Sequence, residues 1–128
     1  MRNGKFGNVL GELETAIMEI VWQADKPLSV ADVCKILRKR RVIAYTTVQT
    51  VMVRLTNKGL LKRTSVNISK AHLFKPVYSK DTFLTRISRQ IIKNLVTSFG
   101  DSAVAHFAQE LENLPSDKKQ ELLKILKK

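Results

Sequence analysis

The sequence predicts a mainly α-helical fold with one small β-hairpin, arranged as two domains over residues 1–78 and 79–128. Three observations lead there. Apolar residues recur at helical spacing in several separate stretches, capping and breaking residues punctuate those stretches, and the β-leaning runs fall together near the middle of the chain. A chain of 128 residues with 44% hydrophobic content suits one or two small folding units with a real core.

The first helix is expected from about Glu12 to Ala24, with Leu13, Ala16, Ile17, Ile20 and Val21 on one face, and Pro27 breaks it. Ser29 reads as an N-cap, and Asp32 three residues on completes a capping box. A short second helix then runs to about Lys39, burying Val33, Ile36 and Leu37. Cys34 borders that face and reads as a packed thiol. As the single cysteine it permits no internal disulfide, and a reducing cytoplasm is the expected location. The third helix spans roughly Tyr45 to Asn57, with Val48, Val51, Met52 and Leu55 as its inner stripe and Gly59 placed as its C-terminal cap. The runs "LLKRTSVNIS" and "AHLFKPVYS" follow as a hairpin. Three helices and then a basic hairpin is the order of a winged helix-turn-helix.

Ser79 can cap a long fourth helix in which Phe83, Ile87, Ile91, Leu95 and Phe99 step by four, with Leu84, Ile92 and Val96 widening the stripe. Arg86, Arg89 and Lys93 lie on its outer face. Gly100 ends it, Asp101 or Ser102 starts a fifth helix through Val104, Phe107, Ala108 and Leu111, and Pro115 with Ser116 opens a last one carrying Leu122, Leu123, Ile125 and Leu126. Three such helices cannot bury this much apolar surface alone. Packing back onto the first domain is one solution. A homodimer is the preferred one, formed through Phe83, Ile87, Ile91, Leu95, Phe99, Phe107, Leu111, Leu122 and Leu126.

The net charge is +12 and unevenly placed: residues 1–80 hold 15 Lys/Arg against 5 Asp/Glu, whereas residues 81–128 hold 8 against 6. Between Asp32 and Asp81 there is no acidic side chain, but twelve Lys/Arg. Such a block attracts polyanions. Anionic lipid fits less well than nucleic acid, because membrane-surface helices pair bases with large apolar or aromatic faces and aromatics are 6% of this chain. Nor does any apolar run approach the roughly 20 residues that span a bilayer, and the N-terminus lacks the apolar core of a signal peptide.

Double-stranded DNA is therefore the expected partner, with the third helix as its reader. Thr46, Thr47, Gln49 and Thr50 crowd its first turns, where a helix in the major groove meets base edges. Threonine hydroxyls donate or accept and threonine methyls touch thymine, while glutamine pairs with adenine on two edges. Each threonine alone is equally a cap or an exposed helix position; the cluster carries the signal. Arg54 reads as a DNA contact or as an ion-pair partner of the first helix. Arg38, Lys39, Arg40 and Arg41 lie between the second and third helices, and Lys58, Lys62, Arg63 and Lys70 carry the field into the hairpin. Long cations suit phosphate contact better than base readout. Two other binding readings stand beside this one: an adaptor whose bases face an acidic protein, and an architectural DNA coat without sequence preference.

Enzymatic activity is not expected: there is no Gly-rich phosphate loop, and no Asp/Glu pair in the basic region. No cofactor is implied, and Cys34, His72 and His106 are too scattered in sequence to suggest a metal site.

The segments "LGELETAIMEIVW", "PLSVADVCKILRKRRVIAYTTVQTVMVRLTNKGLLKR" and "FKPVYSK" resemble the penicillinase repressors of the BlaI/MecI type, whose relatives include copper-responsive repressors. The resemblance covers roughly residues 9–128, most closely 10–63, and "AYTTVQTVMVRLTNKGLL" is its most specific part. It implies a dimeric winged-helix repressor seated on a dyad-symmetric operator, with Thr46, Thr47, Gln49, Thr50 and Arg54 on the recognition helix and the loop around Asn67 to Lys70 as the wing. Two departures stand out. The loop "TSVNISKAH" contains no glycine, unlike the tight wing turn of typical members. Antibiotic-responsive members are switched off when a sensor protease, here a further implied partner, cuts between an asparagine and a phenylalanine; the matching positions are His106 and Phe107, and Phe107 also reads simply as core. The cysteine cluster of the copper-responsive branch is missing.

Overall fold

The computed structural model describes residues 10–66 and 71–126. Local capping chemistry sets the first elements. Helix α1 (Glu12–Gln23) starts where the Gly11 amide donates to the Glu14 carboxylate at 3.0 Å. Helix α2 (Val30–Leu37) starts with a reciprocal box: Ser29 Oγ accepts from the Asp32 amide at 3.1 Å, and Asp32 accepts from the Ser29 amide at 2.9 Å. It ends two residues earlier than its pattern suggests, because the amides of Arg40 and Arg41 both turn back to the Leu37 carbonyl. Helix α3 (Tyr45–Asn57) has the expected bounds. Gly59 closes it at φ +82°, a conformation that a side chain disfavours, while the Leu60 amide reaches back to the Leu55 carbonyl and the Gly59 amide to that of Thr56.

Strands β1 (Leu61–Val66) and β2 (His72–Pro76) pair antiparallel, with Leu61 opposite Pro76 and Arg63 opposite Phe74. The register shifts between Arg63 and Val66. A third segment joins this sheet: Leu28 bridges Phe74 through two backbone hydrogen bonds of 2.8 and 3.0 Å. The hairpin thereby binds the loop before α2. The expected wing loop, including Lys70, lies outside the described residues.

One core joins these elements. Ile17, Met18 and Val21 of α1 meet Val33, Cys34 and Leu37 of α2, then Val48, Val51, Met52 and Leu55 of α3, and Leu61 and Phe74 of the hairpin close it. Burying a leucine- or methionine-sized side chain here contributes about 1.5–3 kcal/mol. Ile36, expected inside, is 40% exposed. It lies a full residue step of about 100° from Leu37 around the helix, off the side on which Val30, Val33, Cys34 and Leu37 are buried.

The remaining helices are α4 (Lys80–Phe99), α5 (Asp101–Glu112) and α6 (Ser116–Leu126). Ser79 caps α4 by accepting from the Thr82 amide at 3.1 Å, and Gly100, at φ +85°, separates α4 from α5. The beginning of α4 is fastened to the core. Trp22 stacks on Phe83 with centroids 5.3 Å apart, its indole donates to the Tyr78 carbonyl at 3.1 Å, and Lys80 pairs with Glu19 at 2.8 Å. Neither α4 nor α5 holds a buried residue. Leu84, Ile92, Phe99, Phe107, Leu111, Leu122, Leu123 and Ile125 are all substantially exposed. Packing back onto the first core, one of the two expected solutions, therefore does not cover these helices. Phe83, Ile87, Ile91 and Leu95 are half-buried, and the side chain of Leu126 lies outside the described residues. Among the described residues no helix is long and apolar enough to cross a membrane.

Candidate nucleic-acid interface

The inner stripe of α3 is buried, so its opposite face is fixed toward solvent. Thr46, Thr47, Gln49, Thr50 and Arg54 are all exposed there. The helix begins at Ala44, which has no side chain to cap it; the Ala44 carbonyl takes the amides of Thr47 and Val48, and no side chain answers the first-turn donors. Such a start suits an anion. Thr46, Thr47, Thr50 and Arg54 line one side of a shallow depression of about 510 Å³, with Gly11, Leu13 and Glu14 of the α1 start on the other. Gln49 lies around the helix from that depression and faces solvent separately.

An ion pair holds the reading helix in place. Lys58, at the end of α3, donates to both oxygens of Glu14 at 2.9 and 3.1 Å, with Glu14 almost wholly buried. Burial pushes the Glu14 carboxyl up, but the Lys58 hydrogen bond, the Gly11 amide and the charges of Lys58 and Arg54 outweigh it, so it sits below the ordinary carboxylate value. The tie to the first helix that the sequence offered to Arg54 is thus made by Lys58, which was expected to face DNA. Arg54 contributes only its field and leaves its guanidinium exposed.

The turn between α2 and α3 presents Arg40 and Arg41 to solvent. Arg38 is used internally, its Nε donating to the Ile43 carbonyl at 3.1 Å. Beside these cations in sequence, Val42 is fully exposed and Tyr45 is 45% exposed. Sequence reasoning passed over them; the available signal was an apolar and an aromatic residue inside the basic segment "RRVIAY". Lys62 and Arg63 are exposed on β1, with the Arg63 guanidinium 5.8 Å from the centroid of the Phe74 ring.

His106 and Phe107 lie in the body of α5, both exposed. His106 Nδ1 is 2.8 Å from the Ser102 carbonyl oxygen, so this nitrogen donates along the helix. A protease that takes its substrate extended would have to unwind α5 to reach the bond between them. Among the described residues no cluster of His, Cys, Asp and Glu could hold a metal ion.

The model of the penicillinase repressor family matches residues 10–128. The chain belongs to the penicillinase repressor family. The transcriptional regulator BlaI of Mycobacterium tuberculosis, in two strains, is 32% identical over 103 residues, spanning 80% of this chain and 73% of that regulator. Among solved structures, a "possible transcriptional regulator" from Methanosarcina mazei superposes with a TM-score of 0.53 at 18% identity, covering 89% of this chain and 85% of that one. The ferric uptake regulator of Pseudomonas aeruginosa, solved with manganese, gives 0.50 at 22% identity over 60% of this chain, which spans 58% of that protein. These two likenesses show the fold, a winged helix. Membership in a family of transcriptional repressors makes the protein a transcriptional regulator and not an enzyme.

Proposed function

We propose that this penicillinase repressor family member acts in the cytoplasm as a homodimer, seats α3 of each protomer in the major groove of a dyad-symmetric double-stranded operator, and blocks transcription there. The observation that carries this is the two-sidedness of α3: four core residues on one face, and three threonines, a glutamine and an arginine free on the other. Base edges are met by short polar side chains near such a helix start. Arg40 and Arg41 then neutralise flanking phosphates, and the exposed amides of the first turn of α3 take another.

Residues 1–78 form the reading unit and residues 79–128 the pairing unit. The exposed apolar surface of α4, α5 and α6 supports pairing, since so much of it on one small unit marks an interface. The test is the mass of the complex on a duplex carrying an inverted repeat selected from random sequence. Two protomers per duplex, with half-sites about one helical turn apart, is the expected result. One protomer per duplex, or selection that enriches no repeat, contradicts the proposal.

A further inference from the structure

A cleft of about 410 Å³ separates the turn after α3 from the first half of α4. Its volume falls within the range of small-molecule sites. Its apolar lining comes from Leu60, Tyr78, Phe83 and Ile87, and its charged lining from Lys58, Arg86, Arg89 and Lys93, with no acidic side chain among them. Arg86, Arg89 and Lys93 recur at helical spacing and so share one wall. Lys58 is committed to Glu14, and Arg86 lies 4.5 Å from the centroid of the Tyr78 ring. Arg89 and Lys93 are exposed and make no ion pair among the described residues. These two charges are what DNA reading by α3 leaves unused.

We propose that this cleft binds a small organic anion with a flat apolar body, and that its occupancy changes operator affinity. The acid-free cationic wall selects a carboxylate or similar group, and Leu60 takes the apolar part together with Phe83 and Ile87, half-buried members of the expected pairing stripe that are assigned to the cleft instead. A bare inorganic anion would leave that apolar floor wet, and a duplex is far too wide to enter. The cleft also bridges two parts whose relative angle matters. Its floor continues from α3 through the Gly59 turn, whereas its wall is α4, fastened to the core at its first turns. An occupant touching both sides biases that angle, and with it the spacing of two recognition helices. The second clause rests on the dimeric operator reading; the binding itself does not.

The probe is 2-naphthoate, with 2-naphthamide as its neutral counterpart, titrated into the full chain without DNA and followed by NMR. We expect saturable shifts of the Gly59, Leu60 and Phe83 amides with a Kd of about 1 mM or tighter, the scale for a probe of about a dozen heavy atoms. The amide should bind at least tenfold more weakly, and R89E/K93E should lose at least tenfold for naphthoate while melting as the parent does. Equal binding of acid and amide, shifts confined to α5 and α6, or no saturation overturns the site. Saturating naphthoate should then alter affinity for the selected operator at least threefold; binding without such a change overturns the coupling. If R89E/K93E weakens operator binding and leaves naphthoate binding intact, the two cations are DNA-phosphate contacts and the assignment fails. A chain that binds naphthoate as described but no specific DNA would refute the operator reading and leave the site standing.

Discussion

Thr47 is exposed on the first turn of α3 and lines the depression shared with the α1 start. If it reads a base edge, Thr47→Ala removes a contact worth about 1 kcal/mol, roughly a fivefold loss, and only from the cognate site. Titration of cognate and scrambled duplexes checks this: equal losses on both would make Thr47 a mere surface position. Glu14 works differently, through the placement of α3. Its folded carboxyl sits below its unfolded value, so the stability it contributes is present at neutral pH and is lost as pH falls through the folded value. Glu14→Gln should therefore unfold more easily in urea at pH 7 by about 1–2 kcal/mol, and the gap to the parent should close in acid. A gap that persists at the acid end would mean that the glutamine disrupts packing instead of the Lys58 ion pair.

Among the elements, α3 was the most legible, because its polar and apolar residues separate cleanly by helical period and Gly59 marks its end. Space is open around a Cβ built on Gly59, so the left-handed backbone alone opposes a side chain. Gly59→Ala is expected to cost about 1–2 kcal/mol, read from the thermal midpoint; no change would show that the turn relaxes to another conformation. α2 was read less well at Ile36, since an eight-residue helix gives too few turns for periodicity to separate a neighbouring residue from the stripe. The choice of Lys58 over Arg54 as the partner of Glu14 was not legible either. Both are long cations one turn apart, and tertiary placement of α1 against α3 decides between them. The bridge from Leu28 to Phe74 joins segments distant in sequence, and no local pattern announces a single-residue pairing.

At the scale of the whole molecule, basic charge gathers around the first core, while the later helices expose apolar surface that the described residues do not cover. Leu123 is 46% exposed on α6, and Leu123→Glu should shift the protein toward monomer in sedimentation and weaken specific binding with it; a monomeric parent would contradict the pairing unit. If each protomer neutralises about four to six phosphates, the dimer's log affinity should fall against log salt with a slope of roughly −7 to −11, and a slope near zero would remove DNA as the partner. The central claim, that paired α3 helices read a symmetric sequence, is met most directly by recovering genomic fragments bound to the purified protein at about 150 mM salt, where surface charges are screened beyond about 8 Å. A short dyad-symmetric sequence upstream of a few genes is the predicted result. Random fragments that fall away as salt rises further would contradict it, and would turn the threonines of α3 back into plain surface.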